Sequence, residues 1–99
     1  MSNVRLTWDL PAPTARQRAI DYVRVDIRVD PSLPWTEQTR VLPADIQEVL
    51  FADEAPGLHF YQVTVVDVAG VESLPAEVSA DVPFDAPAAV VNLLATVEG

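Results

Sequence analysis

The 99-residue sequence contains no cysteine and no lysine. Without cysteine there is no disulfide framework, no thiolate metal site and no cysteine nucleophile. Without lysine, all six basic residues are arginine: Arg5, Arg16, Arg18, Arg24, Arg28 and Arg40. Fifteen Asp and Glu outweigh them and leave a formal charge of −9. A chain this acidic has no basic surface for nonspecific nucleic-acid or anionic-membrane binding, so neither partner is expected. No apolar run reaches the roughly 18 residues that a membrane-spanning helix needs. The opening Met1-Ser2-Asn3-Val4-Arg5 lacks the basic-then-apolar layout of a secretory signal. Synthesis in the cytoplasm is therefore expected, or an extracellular place if the chain is trimmed from a larger secreted protein. The three glycines stand far apart, so there is no glycine-rich phosphate loop.

Catalytic chemistry is equally thin. His59 is the only histidine, and none of Ser2, Ser32, Ser73 or Ser79 sits in a Gly-x-Ser-x-Gly elbow. His59 reads as an ordinary strand or loop residue beside a turn at Pro56-Gly57. The carboxylates are spread evenly and form no Asp-x-Asp-x-Asp-Gly loop. Asp26 and Asp30 alternate with Arg24 and Arg28, the pattern of a solvated strand face. No Arg-Gly-Asp tripeptide occurs. No catalytic residue, cofactor-binding residue or metal ligand is assigned, and the chain is not expected to be an enzyme.

What the sequence does have is 49% apolar residues cut into short runs by nine prolines. That is enough for one core in one small domain. Val4, Leu6 and Trp8 alternate with Arg5, Thr7 and Asp9, the period of a strand with one buried face. Val23, Val25, Ile27 and Val29 alternate with Arg24, Asp26, Arg28 and Asp30, and β-branching favours strand over helix. A weaker strand is expected over 35–42, and 46–51 reads as a strand with one helical turn, begun by Pro43-Ala44-Asp45, as the alternative. The pattern is strongest over 58–67, where Tyr61, Val63 and Val65 share a face. Turns at Pro56-Gly57 and Ala69-Gly70 bracket it, and 76–82 is a further strand. Near the C-terminus Val91, Leu93, Ala95 and Val97 alternate with polar neighbours, spoiled only by Leu94. About seven short strands with regular turn signals indicate an all-β sandwich. Trp8 belongs to its core. Trp35 either packs on the sandwich or contacts a partner.

In order and spacing, residues 4–82 resemble a fibronectin type III domain, an immunoglobulin-like β-sandwich. Val4-x-Leu6-x-Trp8 looks like that family's second strand. Ile20-x-x-Val23-x-Val25-x-Ile27-Arg28 looks like its third. Phe51-x-Asp53-x-x-Pro56-Gly57 and Tyr61-x-Val63-x-Val65-x-Asp67-x-x-Gly70 look like its fifth and sixth with their turns. The resemblance implies structural roles for Gly57, Gly70 and Tyr61. Tyr61 would be the tyrosine-corner residue, its hydroxyl tying the loop before the sixth strand. The family's first strand has no counterpart before Val4, whereas Pro87 to Gly99 resembles it. Placed ahead of Ser2, it would make a first hairpin with a turn near Glu98-Gly99-Ser2-Asn3.

The expected organisation is thus a body, 1–85, lacking its first strand, and a linker with a donor strand, 86–99. Such a chain is either circularly permuted or strand-swapped. Val4, Leu6 and Trp8 form the acceptor edge; Val91, Leu93, Ala95 and Val97 form the donor. In the family the last strand ends at the pole opposite the first. Residues 83–89 reach at most about 25 Å, while a strand of about seven residues spans roughly 23 Å. The linker must also round the sandwich, so self-closure is strained unless the tail strand is shorter, and head-to-tail self-association or docking to another structural protein is the expected partner chemistry. A tail left disordered as a truncated linker is the remaining arrangement. The function expected is that of a non-enzymatic structural or interaction module, with a virion component (capsid decoration, tail or fibre protein) as the leading analogy. The alternatives are an extracellular adhesion or polysaccharide-binding module of a larger secreted protein, and an engineered circular permutant.

Overall fold

The computed structural model describes residues 2–98. Six strands follow one another: β1 (Ser2–Thr7), β2 (Ile20–Arg28), β3 (Thr36–Val41), β4 (Glu48–Glu54), β5 (Gly57–Asp67) and β6 (Ala76–Val82). They lie where the alternating runs predict, with the weak run at 46–51 shifted to 48–54. Every pairing is antiparallel. β1 pairs with β4, and the second sheet has the order β3-β2-β5-β6. No helix occurs among the described residues, and the protein is an all-β sandwich.

Alternation decides what each strand buries. Leu6 of β1 and Phe51 of β4 meet Val25 of β2 and Tyr61 of β5. Val4, Trp8, Ile27, Val49, Val63 and Ala80 pack around them, half-buried. The Phe51 and Tyr61 rings lie 5.0 Å apart and tilted by 43°, an arrangement favoured by aromatic quadrupoles. Trp8 donates its indole N–H to Gln47 Oε1 at 2.9 Å, so the ring packs inward while its polar edge is satisfied.

The turns are built as the residue types require. Asp67 Oδ1 accepts the N–H groups of Ala69 and Val71, both at 2.9 Å. Gly70 sits at φ +81°, where a side chain is strained. Gly57 opens β5 at φ +118°. Asp53 lies at φ +55°, and its N–H is held by Asn3 Oδ1 at 3.1 Å, across the irregularity between Ser2 and Val4.

Three expectations need correction. The outer face of β2 is not simply solvated: Asp26 is 4% exposed, and Gln62 and Thr64 beside it on β5 are buried too. Asp26 Oδ2 accepts from Gln62 Nε2 at 3.1 Å and from Arg24 Nε at 3.3 Å. Long neighbours roof the face, with Arg40 stacked 4.2 Å above the Tyr22 ring and Arg28 stacked 4.1 Å above the Trp35 ring. Trp35 therefore packs on the sandwich, under a guanidinium. Second, Tyr61 is buried as expected, 2% exposed, but its hydroxyl has no hydrogen-bond partner among the described residues. It anchors the core by its ring and tethers no loop. Third, residues 90–98 form no strand in the single chain, so six strands stand where about seven were expected. The turn foreseen at Glu98-Gly99 lies partly outside the described residues.

Candidate functional site

The site begins with a mismatch of widths. Neighbouring strands lie about 4.8 Å apart, so a two-stranded sheet cannot cover a four-stranded one. The uncovered strip falls beside β1. Among the described residues nothing pairs with the β1 edge turned away from β4. Its consequence is written in the burial of the opposite sheet. Along the inner face of β6, Val82 is buried, Ala80 half-buried and Val78 53% exposed. Along β5, Tyr61 is buried but Val63 and Val65 are only half-buried. Inward-facing valines are left wet because no backbone lies over them.

The result is an open groove of about 250 Å³ between β1 and the β5–β6 side. Leu6, Trp8 and Leu10 form one wall; Val63, Val65 and Val78 form the other. Leu74, in the turn before β6, stands at its lip and is almost wholly exposed. Of the three residues expected as the acceptor edge, Val4 and Leu6 lie on the inner face of β1 and Trp8 follows its end; Leu6 and Trp8 line the groove. The opposite wall was missed. Val63 and Val65 were legible as inner-face residues, but no sequence signal says that an inner face is left uncovered.

The donor residues lie elsewhere. Residues 83–98 leave the end of β6 and run away from the body without regular pairing. Val91 and Leu94 are each 82% exposed, Leu93 88% and Val97 99%. A bend at Val91-Asn92 places Asn92 at φ +58°, a conformation Asn adopts at little cost. The radius of gyration is 21.3 Å and the longest extent 88 Å, whereas a compact chain of this length has a radius of about 13 Å. The tail does not cover the groove of its own chain, so the self-closed permutant is not the arrangement seen.

Direction explains why. β5 runs from Gly57, opposite Val82, to Asp67, opposite Ile20. The tail therefore starts at the Gly57 end. The groove lies toward the Asp67 end, beside Thr7 and Trp8. A tail returning over its own body would run parallel to β1, while every other pair here is antiparallel. An antiparallel strand must enter from the Asp67 end, which the chain's own tail reaches only after about 30 Å of travel and a reversal.

His59 Nδ1 lies 3.2 Å from Glu54 Oε2 and its Nε2 lies 2.6 Å from the Ala55 carbonyl oxygen, a local tie across the Pro56-Gly57 turn. Among the described residues, no group of three or more His, Asp or Glu is placed to hold a metal ion. Comparison of the chain with family models, with curated proteins and with solved structures finds no match in any of the three.

Proposed function

We propose that this protein is a non-enzymatic assembly module of the fibronectin type III kind, joined head-to-tail by donating its C-terminal segment to the open groove of the next copy. One observation carries the reading: the same chain holds an uncovered apolar groove beside an unpaired strand edge and an extended tail of matching apolar period. Exposed edges of this type are normally paired or covered, and strand addition supplies both main-chain hydrogen bonds and side-chain pockets. Burying Val91, Leu93 and Val97 contributes about 1.5–3 kcal/mol each, opposed by the entropy of ordering the segment. The donated strand straightens at Asn92 and lies antiparallel to β1. Because donor and acceptor are different surfaces, the contact is heterologous and propagates into chains or closes into rings.

A virion decoration, tail or fibre role fits an acidic, self-assembling sandwich of this size, by analogy of architecture alone. Docking of the tail on a different structural protein is the second reading of the same exposed segment.

Analytical ultracentrifugation of the full chain against a chain ending at Asp85 tests the assembly. The full chain is expected to sediment as concentration-dependent oligomers, and the shortened chain as a folded monomer. A synthetic peptide of residues 87–98 in excess is expected to dissociate the oligomers by capping grooves. Two equally stable monomers, with no response to the peptide, would reject self-donation.

A further inference from the structure

A second cavity, about 360 Å³, lies at the Asp67 end of the sandwich between the 8–19 loop and the turn before β6. Pro11, Pro13, Ile20 and Val71 give it apolar walls, and Arg16 and Arg18 stand at it. Val65 and Ser73 line both this cavity and the groove beside β1, so the two adjoin. Its charges are unequal in what they have left to offer. Asp67 is held by its turn N–H groups and lies 3.8 Å from Arg18, and Glu72 is held by Arg24. Arg16, exposed, makes no ion pair among the described residues. The cavity thus presents an apolar floor with a free guanidinium, on a protein of charge −9.

The linker that precedes the donor strand has the complementary chemistry. Phe84 is 79% exposed and touches no core, and Asp85 follows it. An antiparallel donor enters from the Asp67 end, so the residues ahead of Val90 pass over this cavity. Phe84 is six residues before Val90 and reaches about 20 Å upstream, enough to cross it. The chain's own Phe84 cannot fill it: two residues beyond Val82, it stays at the Gly57 end, a full β5 length of about 33 Å away.

We infer that the cavity between the 8–19 loop and the β5–β6 turn is the socket for Phe84 of the neighbouring copy, with Asp85 of that copy set against Arg16. The inference rests on the head-to-tail reading and adds a second anchor to it. The aromatic ring fixes the angle between successive copies, while the donated strand supplies most of the buried area. Polymers made this way are stiff at each joint and carry an ionic contact that salt weakens.

Because the chain has no cysteine, engineered thiols report placement cleanly. The full-length Phe84→Cys and Val71→Cys chains are mixed under mild oxidation, and each is also oxidised alone. The mixture is expected to give a mixed disulfide dimer far in excess of either single chain. In parallel, sedimentation of full-length Phe84→Ala is expected to show association weakened about tenfold or more, with oligomers still formed at high concentration. Asp85→Arg is expected to weaken association, and Arg16→Asp in the same chain to restore it. Unchanged association of Phe84→Ala together with no mixed disulfide overturns the socket and leaves strand donation standing. A wild-type chain that stays monomeric at every concentration overturns both.

Discussion

Tyr61 shows most directly how one residue is placed by packing rather than by a polar tether. Its ring packs with Phe51 and with Val25 of β2, and its hydroxyl is buried without a partner among the described residues. Burial pushes the phenol up to about 12, with a smaller contribution from the Glu54 charge. The native state therefore holds the proton more tightly than the unfolded chain. Its stabilising share is complete below about pH 10 and is lost as pH rises toward 12. Tyr61→Phe is expected to be neutral or stabilising by up to about 1 kcal/mol at pH 7, since an unsatisfied buried hydroxyl is removed. It is also expected to flatten the alkaline loss of stability; urea titrations at pH 7 and pH 11 would show both. A loss of 2 kcal/mol at pH 7 would mean that the hydroxyl does tie a loop. Gly70→Ala, at φ +81°, meets no atom within 4 Å, so its cost of about 1–2 kcal/mol is backbone strain alone.

At the scale of the element, β5 is a strand with two fates along one face. Tyr61 is sealed by the opposite sheet, while Val63 and Val65 lie under the uncovered strip. Equal side chains on the two central strands should therefore respond differently to truncation. Val25→Ala, at a fully buried position of β2, is expected to cost about 2–3 kcal/mol. Val65→Ala is expected to cost under about 1 kcal/mol in the chain ending at Asp85, because it removes contacts that water already shares. In the full-length chain the same Val65→Ala is expected to weaken association as well. Denaturant midpoints for the short chain and sedimentation for the long one separate the two effects. Equal destabilisation by both substitutions in the short chain would show that the groove closes without a donor.

The whole molecule combines a small sandwich with a long extended arm. Its radius of gyration of 21.3 Å belongs to that combination. Small-angle scattering of dilute protein is expected to give a value near this, and the chain ending at Asp85 a value of about 12 Å. As concentration rises, the full chain is expected to develop a rod-like cross-section regime. A dilute radius near 13 Å would instead place the arm on its own body. Head-to-tail contacts need no symmetry in the single copy, so the number of copies depends on whether the joint angle closes a ring.

β1, β2, β5 and β6 were readable from period two, whereas β3 and β4 gave only weak runs, the second of them displaced, because few of their side chains are buried. Turn chemistry was readable too: Asp67 and Gly70 meet local backbone demands that do not depend on distant residues. Three things were beyond that reading. The burial of Asp26 depends on arginines of β2 and a glutamine of β5 lying side by side, and the unpartnered Tyr61 hydroxyl depends on what lies across the core. The uncovered wall of Val63, Val65 and Val78 exists only because a sheet of two strands faces a sheet of four. Alternation is a local property of the chain, whereas exposure is a sum over neighbours, and those neighbours are chosen by strand order in space.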